Sequence, residues 1–499
     1  MSEWSSQVAR TVRYAPLGTQ GVFIGLSVSH LWVLSVAALV VITAVQTSGP
    51  VGMLLSLPLW LPLVIVGTVR VHRIPMPIFL RNYGVFMFRH LTGATSHRYR
   101  PEAERLEGSL NLPGRRAALQ VWESGEGGAV VYDQFERTIS ITAEIEVEGF
   151  MLLDDAGRRH AVDSWATVLG SFTKREGVLR VAMQERTVPV STEPARAAFD
   201  VARGRATTGQ DVILVKSYQA VLDQVEGFTV AHQNYLTITL SLGARGGEVK
   251  ALGGGRRGAV ALGAQEMQNV TDALREQSFR VRRWLNARQW AALGRVAFDP
   301  EFASQIADRT GTAAGVSLDA IGPMAVDESP SKAHLVRTDS GVHTTMWIHE
   351  WPRTDVVPGF VHPVVFAQRP HDGQAVSHMF TIVCSPVKVQ KALQAIEREK
   401  NTWQTNMTAK QTRGRSMTAA DEADWQALVE QERSIVLGHG KFMFSGYVTV
   451  SAEDEESLSM ATSAMRNGMA RAGLEPQILY FQQAEALFAN ALPAGGGMK

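Results

Sequence analysis

The 499-residue sequence has a single cysteine, Cys384. One thiol excludes an intrachain disulfide framework, a multi-cysteine zinc site and a cysteine-held iron–sulfur cluster. Its neighbours, "FTIVCSP", are apolar and β-like, so Cys384 reads as a small core residue rather than a nucleophile. Net charge is also missing: 49 Lys and Arg stand against 48 Asp and Glu. That balance gives no whole-chain electrostatic reason to bind nucleic acid. The sharpest absence is local. Between Arg13 and Arg70 there is no Asp, Glu, Lys or Arg, and after Arg100 charges return at ordinary globular density.

The uncharged region holds two apolar runs, 22–45 and 51–69. Between them "QTSGP" carries a turn signal at Gly49-Pro50. Each run meets the roughly 20 residues that a spanning helix needs. Helices satisfy their own backbone in lipid. Residues 21–70 therefore read as a transmembrane helical hairpin, with Pro58 and Pro62 kinking its second helix. A cleaved export signal fits less well, because the second run follows at once without a convincing cleavage site. A buried soluble hairpin also fits less well, because its outer faces would carry charge.

Flanking charge sets the expected orientation. Arg10 and Arg13 precede the first run, while Arg70, Arg73, Arg81 and Arg89 follow the second. The intervening loop has neither Lys nor Arg. Positive residues stay inside, so both termini are expected in the cytoplasm and these six arginines at the membrane interface. Residues 1–20 would be a cytoplasmic tail of a multi-pass protein of the cytoplasmic (inner) membrane. Next, within 71–100, comes "IPMPIFLRNYGVFMFRHL", a helix opening near Pro77. It fits an interfacial amphipathic helix with arginines on lipid phosphates. It fits equally a helix packed on the soluble part.

The rest reads as α+β: a first subdomain at 101–243, a Gly-rich connector and helical segment at 244–332, and a second subdomain at 333–499. Within the last, 387–436 reads as a long helical hairpin, interrupted at Gly414 and restarted after Thr418. Two α+β layers are expected. In "TISITAEIEV", Ile139, Ile141, Ala143, Ile145 and Val147 alternate with Ser140, Thr142, Glu144 and Glu146. Period two of this kind predicts a half-buried strand. "NYLTITLSL" alternates in the same way. Asp163 is a candidate helix cap, and Gly473 a helix stop.

Residues with chemistry are present without the spacing that chemistry needs. "GHGKF" lacks both the first glycine and the hydroxyl of a phosphate loop: Ile435 and Phe442 stand there. His343, His349, His362, His371 and His378 cluster in sequence, but no zinc-type spacing occurs. There is no nucleophile elbow and no dinucleotide fingerprint. No catalytic, cofactor or metal residue is assigned, and the chain is not expected to be an enzyme. The alternative is a membrane-anchored enzyme built on the 343–378 histidines. A further alternative is a nucleic-acid-handling module. Arg256 and Arg257 lie in a Gly-rich loop able to hold an anion, or simply in a connector. Arg280, Arg282 and Arg283 precede Trp284 in "SFRVRRWLNARQW", which suits nucleic acid or strand-face salt bridges.

The order of these parts carries a resemblance. "APLG", two close apolar runs and "PIFLRNYG" resemble the small two-helix inner-membrane subunit of type IV secretion and conjugation systems. "GAVVYDQFERTISITAEIEVEGF", "NYLTITLSLG", the 387–436 hairpin and "YFQQAEALFANALPAGGG" resemble the N-terminal, non-catalytic domain of the large conjugation ATPase. The whole looks similar to actinobacterial conjugation-cluster proteins that fuse the two parts and omit the motor. The resemblance implies a structural, oligomeric scaffold in membrane lipid. Its partners would be a separate P-loop motor ATPase and other inner-membrane channel subunits.

Overall fold

A computed structural model describes residues 28–494, apart from 101–109, 126, 147–148, 191, 206–211, 226–229, 308, 310, 353–355, 413, 415 and 437–440. Arg10, Arg13, the tail 1–20 and most of "GHGKF" lie outside the described residues.

Three helices come first: α1 (Val28–Leu55), α2 (Leu57–Thr68) and α3 (Met76–Leu91). α1 breaks at Gly49, whose φ of 60° and ψ of −151° suit a residue without Cβ. Beyond the break, Gly52 approaches Ala44 O, and Gly67 of α2 abuts the Leu34 side chain. α1 is thus kinked at the Gly49-Pro50 signal, and α2 packs against it. Among the described residues, one helix, 29–55, is long and apolar enough to cross a membrane, with mean hydropathy 1.9 and only 6% of its most apolar stretch buried. The expected second span is shorter, a 12-residue α2. The break at Gly49 falls inside α1, and the second run is divided at Ser56, before Pro58.

Thirteen strands build one antiparallel sheet. In chain order they are β1 (Ser96–Arg98), β2 (Gln120–Glu123), β3 (Ala129–Asp133), β4 (Thr138–Glu146), β5 (Val178–Pro189), β6 (Val230–Ser241) and β7 (Arg280–Trp284), then β8 (Ala325–Asp327), β9 (Val336–Arg337), β10 (Val342–Glu350), β11 (His378–Val387), β12 (Lys441–Ala452) and β13 (Glu475–Ile478). Across the sheet they run β1-β8-β9-β10-β12-β11-β5-β6-β4-β3-β2, with β13 on β10 and β7 on β4. The helices between them are α4 (Asp155–Lys174), α5 (Glu193–Gly204), α6 (Val212–Val225), α7 (Gly255–Glu276), α8 (Ala287–Phe298), α9 (Val389–Thr412), α10 (Ala419–Val436), α11 (Glu455–Arg471) and α12 (Gln483–Ala491). The class is mixed α+β. The two expected layers are instead two halves of one sheet, joined at β5–β11, where Gln184 pairs with Thr381 and Val181 with Cys384.

The halves repeat one another. The order β3-β4-α4-β5-α5-α6-β6-α7-β7-α8 recurs as β9-β10-β11-α9-α10-β12-α11-β13-α12, a short helix (His362–Val365) replacing α4. "YLTITL" from Tyr235 recurs as "YVTVSA" from Tyr447. Ser140 pairs with Thr239 and Thr142 with Thr237 across β4–β6. His343 pairs with Ser451 and Thr345 with Thr449 across β10–β12. Two equal-handed halves meeting edge to edge in antiparallel fashion leave a pseudo-twofold axis at the Gln184–Thr381 pair.

One sheet face is apolar. α4 and α7 cover it in the first half with Phe172, Leu262 and Val270, and α11 covers it in the second with Leu458, Met465 and Met469. α8 and α12 cover the other face. Ser140, Thr142, Glu144, Thr237 and Thr239 are therefore buried. The half-buried strand expected from alternation is buried on both sides, because a second helical layer covers the polar side. α4 begins before Asp163: Asp154 caps it, accepting from Gly157 N at 2.8 Å. Thr418 does cap α10, with Asp421 N donating to Thr418 Oγ1 at 3.3 Å and Thr418 N to Asp421 Oδ2 at 3.0 Å.

Candidate functional site

The polar face is a hydrogen-bonded trough holding the C-terminal segment. Thr142 Oγ1 donates to Pro493 O at 3.2 Å and Ser140 Oγ to Ala494 O at 2.8 Å. Asn490 Nδ2 reaches Met379 O at 3.2 Å and Thr449 Oγ1 at 2.9 Å. Gln483 bonds both the amide and the carbonyl of Thr345. Beside the axis, Gln184 Nε2 donates to Thr381 Oγ1 and Asn490 O. Arg186 is 1% exposed and donates to Gln184 Oε1 at 2.6 Å, Leu293 O at 2.7 Å and Ala491 O at 2.7 Å. Its acceptors are neutral, so burial pushes the guanidinium down to about 10. Ala491 ends α12, so the cation also meets the negative end of that helix dipole.

The histidines fall on opposite faces and do not converge. His343 lies in the trough, fully buried. Thr338 Oγ1 donates to Phe298 O at 2.6 Å, so it accepts from His343 Nε2 at 2.7 Å. Ser451 Oγ then donates to Nδ1 at 2.8 Å. This chain of donors suits a neutral ring, and burial pushes His343 down to about 3. His349 stacks edge-on against Trp347, and His362 packs on Phe366. His371 is exposed. Among the described residues, no group of three His, Cys, Asp or Glu is arranged to hold a metal. His362, Phe366, Arg369 and Arg471 line a surface cleft of about 440 Å3.

His378 lies on the apolar face, in a cluster that sequence reasoning missed. Thr187 pairs with His232 on β6 and with His378 on β11. Glu185 stands two residues before Thr187 on the same face. Its Oε1 accepts from Thr187 Oγ1 at 2.7 Å and lies 3.0 Å from His232 Nδ1. Its Oε2 faces His378 Nε2 at 3.2 Å, while His378 Nδ1 donates to Val376 O at 2.7 Å. Burial alone would raise the Glu185 carboxyl, but bonds from His232, His378 and Thr187 outweigh it and hold it at about 2. The second half serves as a control. There Cys384 pairs with Phe444 and Val181, with Ile382 in the place of Glu185. The equivalent positions of the second half thus carry no charged group. The available signal was "QER" inside an otherwise apolar strand pattern.

Of the described N-terminal arginines, Arg73 and Arg89 lie at the joint between α3 and the sheet. Arg89 bonds Glu328 at 2.7 Å, and Glu328 accepts from Ala484 N at 2.8 Å. Burial raises the Glu328 carboxyl, against the opposing pull of Arg89. Arg73 bonds Glu475 at 3.0 Å, and Arg70 and Arg81 are exposed. Phe481 lies among Phe79, Tyr83 and Phe86, at ring distances of 5.3, 5.3 and 5.4 Å. Its φ of 66° is a left-handed conformation that a bulky residue adopts only when packing imposes it. Phe481→Ala is expected to cost roughly 3 kcal/mol at this joint and to raise amide hydrogen exchange in α3 while β4–β6 exchange stays unchanged. Equal exchange in α3 would refute the role given to this ring.

The other arginines stand apart from these. Arg282 and Arg283 both bond Glu144, at 3.0 and 2.6 Å, and Arg280 lies 3.8 Å from Glu146. Arg256 sits 5.4 Å over the Trp122 ring, and Arg257 folds over Gly253 at the start of α7. No family model matches the chain, and no curated protein matches it in sequence.

Proposed function

We propose that this chain is a membrane-anchored structural subunit of a type IV secretion-like, conjugative transfer apparatus. In this reading the apolar helices cross the inner membrane twice and both termini are cytoplasmic. The sheet domain is a platform that docks a separate P-loop motor ATPase beside other channel subunits, in several copies. One observation carries the reading. Apolar residues of α1 and α2, among them Trp32, Leu39, Leu54 and Leu59, stand exposed to the outside. The same segment is fastened to the sheet through α3, Phe481 and the Arg89–Glu328 pair. Exposed apolar surface on this scale marks a membrane or partner. The rigid joint supports a mount rather than a tethered enzyme. The order of the parts and the resemblance they carry supply the partner class.

The test is membrane extraction followed by affinity capture. The full chain is expected to stay with membranes in high salt and carbonate, leave only with detergent, and bring down a P-loop ATPase. The purified chain is expected to hydrolyse no ATP above background. Release by salt alone, enzyme-like hydrolysis, or capture without any P-loop partner would overturn it.

A further inference from the structure

We propose that the outward face of α3 lies on the bilayer surface and contacts lipid, an inference that rests on the membrane anchorage proposed above. α3 is apolar on two sides. Its inner side gives Phe79, Tyr83 and Phe86 to Phe481, and Arg89 to Glu328. At 3.6 residues per turn, the opposite side presents Leu80, Arg81, Gly84, Val85, Phe88 and Leu91. Phe88 is 69% and Leu91 80% exposed. A helix on an aqueous surface turns charge outward; Arg81 is the single charge here.

Two features make lipid the occupant. The first is continuity: α3 packs against both α1 and α2, so its outer side extends their exposed apolar surface. The second is the elbow between α2 and α3. Arg70 pairs with Pro75 and Val71 with Ile74 around His72 and Arg73, both left-handed with φ of 50° and 67°. Two such residues make a tight reversing turn. His72 stacks on Tyr480 at 4.4 Å, and Arg73 bonds Glu475 at 3.0 Å. The elbow therefore starts α3 at the very end of the apolar helices, where a membrane surface would lie. Arg81 complements anionic headgroups there.

The experiment uses the full chain in vesicles of phosphatidylcholine and phosphatidylglycerol. A polarity-sensitive fluorophore is attached at Phe88→Cys, Leu91→Cys or, as a control, Asp272→Cys, which is exposed on α7. Cys384 stays unlabelled, because it is buried and its thiol is pushed up to about 12. A nitroxide on the lipid chain is expected to quench positions 88 and 91 about threefold or more beyond position 272. Labels at 88 and 91 quenched no more than at 272, in protein that stays with the vesicles, would overturn the α3 assignment and leave the anchor standing. Disulfides forming between chains at 88 without lipid quenching would make this face a contact between copies, and also overturn it. Protein that does not stay with the vesicles would instead remove the anchor on which it rests.

Discussion

Arg186→Ala is expected to destabilise the sheet domain by at least about 3 kcal/mol, or to prevent its folding. The reason is not the charge alone. Arg186 joins β5 to α8 and α12 by two bonds of 2.7 Å and braces Gln184 of its own strand by a third of 2.6 Å, and all three acceptors sit inside the trough. Truncation leaves Gln184 Oε1, Leu293 O and Ala491 O facing an empty space. A buried acceptor that loses its partner costs about 1–3 kcal/mol, and the vacated volume adds a cavity cost. Ala491 O is the worst placed, since it ends α12 and has no further helical amide to accept from. Arg186→Lys keeps the charge but loses the planar fork that reaches three acceptors at once. It is expected to recover less than half of the loss. Urea unfolding followed by tryptophan fluorescence measures both, since Trp290 is buried on α8. Arg280→Ala is the comparison: that residue is exposed, 3.8 Å from Glu146, and its loss is expected to cost under about 0.5 kcal/mol. An Arg186→Ala protein within 1 kcal/mol of the parent, an order-of-magnitude bound, would mean that the trough closes without this cation.

The second large effect is on acid stability. His343 is held neutral by burial and by its hydroxyl partners, down to about pH 3. Once unfolded, the ring takes a proton near its ordinary value of 6.5. Between those limits the unfolded chain binds the extra proton, so the folded state loses ground as pH falls. The loss is about 1.4 kcal/mol per pH unit, approaching roughly 4 kcal/mol by pH 3.5. Glu185 adds in the same direction, lower on the scale. Its carboxyl is at about 2 when folded and 4.5 ordinarily, so its contribution is present above 4.5 and is lost as pH falls through 2. Urea midpoints are expected to fall steadily from pH 6.5 downward and more steeply below 4.5. His343→Gln keeps polar contact with Thr338 and Ser451 and does not titrate. It is expected to be less stable than the parent at pH 7 and to flatten the decline between 6.5 and 4.5. An unchanged slope in this variant would assign the acid sensitivity elsewhere.

How much was legible in the sequence is best seen on β4 and β6. Their alternation correctly placed Ile139, Ile141, Leu236 and Ile238 on a core face. It gave no sign that Thr142 and Thr237, 3.0 Å apart, are buried too. Threonine suits a solvent face and a hydrogen-bonded interior equally, and the covering helix α12 comes some 250 residues later in the chain. The duplication was hidden for a related reason. The halves share strand order and register, but only short runs such as "YLTITL" and "YVTVSA" keep similar residues. The Glu185 cluster escaped because its members lie on three strands, and no spacing along the chain records their meeting. The 343–378 histidines failed as a group for the converse reason. They are near in sequence, yet His343 and His378 point to opposite sides of one sheet.

By itself the sequence determined the properties that are local. These are the long uncharged apolar stretch, the backbone break at Gly49, the cap at Thr418, the strand periods and the lack of a phosphate-loop pattern. Each depends on neighbours within a turn or two of backbone, so each can be read residue by residue. Only the tertiary structure decided what covers the polar sides of the strands, that two halves close into one sheet, and that α3 is fastened by Phe481 and Glu328. Those outcomes depend on which distant surfaces meet, and burial turns the same threonine, histidine or arginine from a solvated group into a structural bond.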